Sequence, residues 1–363
     1  MQDNHDAVWL IFHMALDSPT RRRFFYILRR LAPFTAFMGL LLVPVFADTN
    51  TTEPSPEAVA GKSAVASASN ALAVPGNDGW LFSTQELSHL GKPQYWSAGA
   101  GTTMAGDPMP AILDFKRQLD AAGIELLLVP VPPKVVVYSD KFGGSPYFIQ
   151  SDQAFYRALE AQGVKVLDMT ETFQAARKTN SAPIYCKQDT HWAPEGIRIA
   201  ADRIAEKIKG LPFLATEPKL GMKSSDVRVT VKGDLAQGQA GISQEEETFS
   251  ARLVVPTEGG GTQPVEPSRS SPVILLGDSH NLIFHSGGDM HAAGCGLPEQ
   301  LSLALGFPVD LVAVRGSGST SARRNLARRK DNLQGKKLVI WCFTAREFTE
   351  GEGWLKVPVI KAP

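Results

Sequence analysis

The sequence predicts an α/β layer fold with a mostly parallel sheet. Three observations carry that expectation. Short apolar runs alternate with amphipathic segments along the chain. The segments end at glycines placed as C-caps. The apolar runs lack the apolar–polar alternation of a half-exposed sheet, so they read as strands buried on both faces.

The elements follow in order. Residues 48–75 are rich in Ala, Ser, Thr, Pro and Glu with few large apolar groups, which reads as a flexible linker. Gly76–Gly79 make a turn before Trp80, Leu81 and Phe82. PAILDFKRQLDAAG has helical apolar spacing and stops at Gly123. IELLLVPVP follows as a buried strand, ended by Pro130, Pro132 and Pro133. QAFYRALEAQG reads as a helix and VKVLDM as a strand. PEGIRIAADRIAEKIKG is a helix with Pro194 in its first turn and Gly210 past its end. VILLGDS and VDLVAV read as strands, SARRNLARRKDNL as a basic helix and KLVIWCF as the last strand. Residues 212–271 break this rhythm: they are polar, hold the Gly-rich EGGGTQP and the alternating ARLVVP, and read as a β-rich insertion.

The 363 residues carry 37 Lys plus Arg and 37 Asp plus Glu, a formal net charge of zero. That balance gives no electrostatic case for nucleic acid. The amino end reads as an address: TRRRFFYILRR is basic, LAPFTAFMGLLLVPVFA is uncharged, and small residues precede a cleavage point after Ala47. Residues 1–47 are therefore read as a cleaved signal or an uncleaved inner-membrane anchor, and either places the body outside the cytoplasm, in the periplasm. TRRRFF also resembles the twin-arginine export motif. Cys186, Cys295 and Cys342 would permit one disulfide in an oxidising compartment, with no basis for choosing the pair. No CxxC spacing occurs, so no zinc site is expected.

Chemistry is suggested by two stretches. In VILLGDSHN, Ser279 stands where a buried strand runs out, the edge at which open α/β sheets bind ligands. Alone, GDS is a weak motif, and a loop serine capping a helix is about as common. A hydroxyl also needs a neighbouring base to act as a nucleophile. His280 is adjacent and poorly placed; His285 and His291 fall in a loop, FHSGGDMHAAG. In CKQDTHWAP, His191 has an acid two residues earlier, and in an extended segment Asp189 and His191 would point the same way. Asp189 could then fix the tautomer of His191 while the other ring nitrogen faces Ser279. A lone DxH is more often a surface turn. Donors for an oxyanion are offered by the Ser279 amide and by VRGSGST, through Arg315 and the amides around Gly316 and Gly318. Without GxxxxGK[ST], nucleotide binding is discounted.

Taken in order, GNDGWLF, PVPPKVVVYSDKF, YCKQDTHWAPEG, LLGDSHN, VDLVAVRGSGST and LVIWCFTAREF resemble the alginate O-acetyltransferase family, the AlgJ/AlgX type of SGNH-hydrolase-like domain. The acid–histidine pair precedes the serine, as in that family's permuted order. The resemblance spans about Gly76 to Phe348 and implies a three-layer SGNH-hydrolase-like fold over 76–363. It implies Ser279 as nucleophile, His191 as base and Asp189 as orienting acid. It places Trp341 and Arg346 among residues lining the site, and leaves Trp192 as core packing. The chain departs from relatives at His280 and at Arg315, where hydrolase relatives often carry asparagine. The resemblance is to short members without a carbohydrate-binding module. It implies an exported enzyme acetylating exopolysaccharide hydroxyls, with no cofactor or metal and with a membrane-bound O-acyltransferase partner supplying acetyl groups. An acetyl-esterase on the same triad, or a non-catalytic exopolysaccharide assembly component, are the alternatives.

Overall fold

The computed structural model describes residues 71–361, apart from 93, 97–104, 144–149 and 259–261. The expected signal or anchor over 1–47 lies outside the described residues. So does most of the expected linker. Its last residues do not fit that reading, because Ala73–Pro75 form a strand, β1, paired antiparallel with β2, Leu81–Ser83.

Helix α1 is Thr84–Leu90 and α2 is Met109–Ala121. Gly123 after α2 has φ +68°, the left-handed conformation that ends a helix at little cost for glycine. Strand β3, Glu125–Val131, leads to the short helix α3, Lys134–Val137. Then come α4, Gln150–Ala161, the two-residue β4, Lys165–Val166, and α5, Thr170–Thr179. Helix α6 is Pro194–Ile208, with proline in its first turn, and α7 is Phe213–Thr216. Strands β5, Met222–Lys232, and β6, Glu246–Pro256, form a long antiparallel ribbon. Strand β7 is Val273–Gly277; β8, Ser286–Gly287, pairs with β9, Met290–Ala293. Helix α8 is Leu297–Leu305, β10 is Asp310–Ala313, α9 is Thr320–Arg328, β11 is Leu338–Thr344 and α10 is Glu347–Glu350. Helices α1, α3, α5, α7, α8 and α10 are absent from the sequence expectation.

The main sheet has the order β10-β7-β11-β3-β4, and its pairings are parallel. Side chains alternate across it. Leu127, Val129, Val273, Leu275, Ile340 and Cys342 pack on one face with Ile197 and Ile204 of α6 and Leu301 of α8. Leu126, Leu128, Ile274, Leu276, Trp341 and Phe343 pack on the other with Phe115 of α2, Phe155 of α4 and Leu326 of α9. Layers on both faces explain why the strands read as continuous apolar runs, since each buried large side chain contributes about 1.5–3 kcal/mol.

Two strand expectations are corrected. Pro130 does not stop β3, which runs to Val131. Leu128 O accepts from Leu167 N–H on the β4 side, and Val131 O accepts from Ala345 N–H on the β11 side. The nitrogen of Pro130 therefore faces where β4 has already ended, and no ladder bond is lost. VKVLDM shrinks to β4 for the same reason: it is a short edge. The three cysteines are buried and free. Cys186 points at Trp192 O, Cys295 at Ala293 O, and Cys342 lies inside β11, so no pair is bonded. Among the described residues no helix is long and apolar enough to cross a membrane.

The closest approach in the sheet fixes the site. A Cβ on Gly277 would sit 1.7 Å from Cys342 O of β11. Gly277→Ala should therefore lower stability by about 3 kcal/mol, the upper end of overpacking costs. The denaturant midpoint measures this, and a midpoint unchanged from wild type would contradict it.

Candidate active site

The chain beyond β7 presents Ser279. Asp278 is extended and caps a 3-10 turn, Ser279–Asn281, with its Oδ1 accepting His280 N–H at 2.9 Å. Its Oδ2 accepts Thr344 N–H at 2.8 Å, tying the ends of β7 and β11 together. Asn281 donates to Cys342 O at 2.8 Å, a second tie between the same ends. Ser279 is half-buried at the carboxyl edge of the sheet. Its amide leads the 3-10 turn, ahead of the turn's own hydrogen bonds.

His191 arrives from the tip of a small antiparallel loop. Tyr185 and Trp192 form an isolated bridge, Cys186 N–H donates to His191 O and Ala193 N–H to Ile184 O. Trp192 is buried and donates to His280 O at 3.1 Å, so it joins the two halves of the site from within the core. Residues 187–191 bend rather than extend. Asp189 and His191 meet because Asp189 Oδ1 accepts both the His191 amide at 2.9 Å and the His191 Nδ1–H at 2.7 Å. His191 Nε2 lies 2.8 Å from Ser279 Oγ. Burial disfavours the imidazolium, but the hydrogen bond and charge of Asp189 outweigh it and hold the His191 pKa above its ordinary value. Burial likewise opposes the Asp189 carboxylate, yet donors from His191 and His291 bring it well below the usual range.

Asp189 has further partners that sequence reasoning passed over. Oδ2 accepts His291 Nε2–H at 3.0 Å and Asp234 N–H at 3.1 Å. Lys134 is fully buried, and its Nζ donates to the carbonyls of Asp189 at 2.7 Å, Cys186 at 3.2 Å and Lys187 at 3.3 Å. Burial lowers its pKa, opposed by Glu86 and Asp189. Asp189, His191 and Asp234 bring ligand atoms within 4.8 Å of one another. Those atoms are already committed, since Asp234 Oδ1 accepts the Thr190 amide and hydroxyl.

The other expected residues separate. Arg315 is not aimed at Ser279: it is exposed, and its two Nη groups donate to Asp289 at 2.5 and 2.8 Å. Gly316 lies at φ +73° with open space around it. Gly318 is no oxyanion donor, because its amide donates to Glu347 Oε2 at 3.3 Å and its carbonyl accepts Trp341 Nε1–H at 2.7 Å. Trp341 does not line the site; its ring is fully buried on the α2 side of the sheet, where it holds the Gly318 loop. Arg346 is partly exposed, donates to Ser83 Oγ at 3.2 Å and lines a cleft of about 570 Å³ with Thr190, Asp234, Leu235 and Gln237.

A serine, histidine and aspartate joined by hydrogen bonds at the carboxyl edge of a parallel α/β sheet have the arrangement seen in serine-dependent acyl-transfer sites. The family described as SGNH hydrolase-like domain, acetyltransferase AlgX, matches residues 73–345, and the chain belongs to it. The probable alginate O-acetylase AlgJ of Pseudomonas fluorescens is 26% identical over 217 residues, 57% of this chain and 53% of that protein. Alginate biosynthesis protein AlgX of Azotobacter vinelandii is 26% identical over 292 residues, 75% of this chain and 54% of that protein. The chain thus spans about half the length of these relatives. The solved O-acetyltransferase domain of Pseudomonas putida AlgJ superposes with a TM-score of 0.57 at 21% identity, covering 76% of this chain and 92% of that one, which establishes the shared fold.

Two predictions follow from this geometry. Asp189→Asn should lower any Ser279-dependent ester turnover by about 10⁴-fold, because the amide favours the wrong His191 tautomer. A loss below tenfold in steady-state assays would contradict it. Glu347, pushed by burial and then by Asp278 from 4.5 to about 7, holds its proton more tightly in the folded state than in the unfolded one. It therefore destabilises the fold as pH rises from 4.5 through 7, by about 3 kcal/mol in all. Denaturation at pH 4.5 and 7.5 should show that slope reduced in Glu347→Gln; an unchanged slope would exclude Glu347 as its source.

Proposed function

We propose that this protein is an O-acetyltransferase that moves acetyl groups onto polysaccharide hydroxyls through an acyl-enzyme on Ser279. The observation that carries the reading is the unbroken relay of 2.7 Å from Asp189 to His191 and 2.8 Å from His191 to Ser279. His191 Nε2 takes the Ser279 proton as Oγ attacks the acetyl carbonyl, with the Ser279 amide facing the developing oxyanion. The donor's leaving group departs with the proton from His191. A sugar hydroxyl then yields its proton to the same nitrogen and attacks the acetyl group, and Ser279 recovers its proton as it leaves. Family membership and the names of the relatives support acetyl as the group and polysaccharide as the acceptor. The cleft beside Thr190, Asp234 and Arg346 is large enough for about one or two sugar rings.

The basic and apolar character of residues 1–47 supports export, which puts the enzyme in the periplasm, released or held at the inner membrane. Acetyl groups held in the cytoplasm must then cross the membrane, so a membrane-bound O-acyltransferase is the partner this reading requires.

The test uses a chromogenic acetyl ester and intact mass. The wild type should gain one acetyl group on Ser279, and both adduct and turnover should vanish in Ser279→Ala and His191→Ala. Acetylated oligosaccharide appearing on addition of acceptor marks a transferase; release of acetate alone, whatever the acceptor, marks an esterase. Turnover surviving Ser279→Ala would remove the nucleophile assignment.

A further inference from the structure

The Asp189 carboxylate is held by two histidines, and only one of them faces the nucleophile. His191 takes Oδ1 through Nδ1 at 2.7 Å; His291 takes Oδ2 through Nε2 at 3.0 Å. An ionised carboxylate only accepts, so the contact requires hydrogen on Nε2 of His291. The His291 side chain is 8% exposed and that of Asp189 2% exposed, so water does little to satisfy this oxygen. The backbone is bent to make the contact. The β8–β9 register shifts at Ser286 and Gly287, and His291 itself adopts φ +70°, which non-glycine residues rarely do. Bulges of this kind re-aim side chains beside active sites. Phe284, its ring 5.3 Å from that of His291, supports the imidazole from the side.

Building on the acyl-transfer reading above, we propose that His291 is a positioning residue: its Nε2–H holds the second oxygen of Asp189, keeping the carboxylate ionised, aimed at His191 and divided in charge between two imidazoles. The charged and titratable groups around this pair come from several elements. Asp234 stands after β5, and Asp278 and His280 lie at the end of β7, the His280 ring 4.9 Å from that of His191. Lys134 of α3 lies beneath Asp189. Asp289, two residues before His291, is engaged by Arg315. Removing the His291 donor leaves Oδ2 with the Asp234 amide alone. The carboxylate then pulls harder on His191 through Oδ1, and the imidazolium is favoured.

The experiment titrates the His191 imidazole by NMR in the full chain, its resonance identified by its loss in His191→Gln. Wild type is compared with His291→Ala and with His291→Gln, whose amide can still donate near the same point. The His191 titration should rise by about 0.5–1 unit in His291→Ala and return to within about 0.2 unit of wild type in His291→Gln. Acetyl-ester turnover should fall about 10–100-fold in the alanine variant and recover in the glutamine variant. His291→Leu, which keeps volume without a donor, supplies the same comparison should the alanine variant fail to fold. A His191 titration unmoved in the folded donor-less variants, or equal effects of glutamine and alanine, would overturn the proposal. Failure of the acyl-transfer reading looks different: the wild type shows no Ser279-dependent turnover, while the titration still decides the role of His291.

Discussion

The constraint on which the site depends is the burial of one negative charge. Asp189 is almost wholly removed from water, and burying an ion costs several kcal/mol unless its lone pairs are met. Four N–H groups meet them: the amide and ring of His191, the amide of Asp234 and the ring of His291. These donors come from three separate parts of the chain, which must converge for the carboxylate to be tolerated. The charge so stabilised is then available to His191, whose basicity it sustains against the desolvation of the ring. Holding Asp189 thus both orders the loop and raises the basicity of His191.

Ser279 is fixed by an independent set of contacts. Asp278, buried beside Ser279, is a brace rather than a proton carrier, since its oxygens are occupied by the amides of His280 and Thr344. Burial opposes its charge, but His280 and these amides keep it ionised, while burial lowers the pKa of His280. His280 therefore favours the neutral form beside Ser279 and contributes packing against Trp192 and His191. The two halves meet at the His191–Ser279 hydrogen bond and at Trp192, so an error in either half would appear as misalignment between rigid parts.

The fold was legible in the sequence because both faces of the sheet are covered, which leaves strands as uninterrupted apolar runs. The carboxyl-edge position of Ser279 was legible for the same reason: GDS follows such a run directly. The Asp189–His191 pair was legible as a spacing, although the contact is made by a bend in which one carboxylate oxygen takes both the amide and the ring of His191. Residues whose roles come from distant partners were not legible. Arg315 sits in a glycine-rich turn that resembles an anion site, yet its charge is taken by Asp289, 26 positions away. Trp341 falls in the right motif but on the strand face opposite α6. His291 gave no signal, because its role depends on a bulge and a positive φ that local pattern does not encode.

The β5–β6 ribbon, which interrupts the α/β rhythm, is what closes the loop carrying Asp189 and His191. Glu247 of β6 accepts the amides of Lys187 and Gln188, and Leu235 N–H, just past β5, donates to Gln188 O. A Cβ on Gly233 would lie 2.0 Å from that same carbonyl, so the ribbon's end and the loop pack backbone to backbone. From the opposite direction the buried Lys134 ammonium gathers the carbonyls of Cys186, Lys187 and Asp189. The loop is therefore held with the N–H groups of Lys187 and Gln188 toward a carboxylate and the C=O groups of Cys186, Lys187 and Asp189 toward Lys134. Charge-assisted hydrogen bonds of this kind are stronger than neutral ones, and here they act on the backbone itself. The peptide groups from 186 to 189 are thus oriented by contacts separate from the donors that the Asp189 carboxylate receives. This is how a polar loop outside regular secondary structure can hold Asp189 and His191 in fixed register with Ser279.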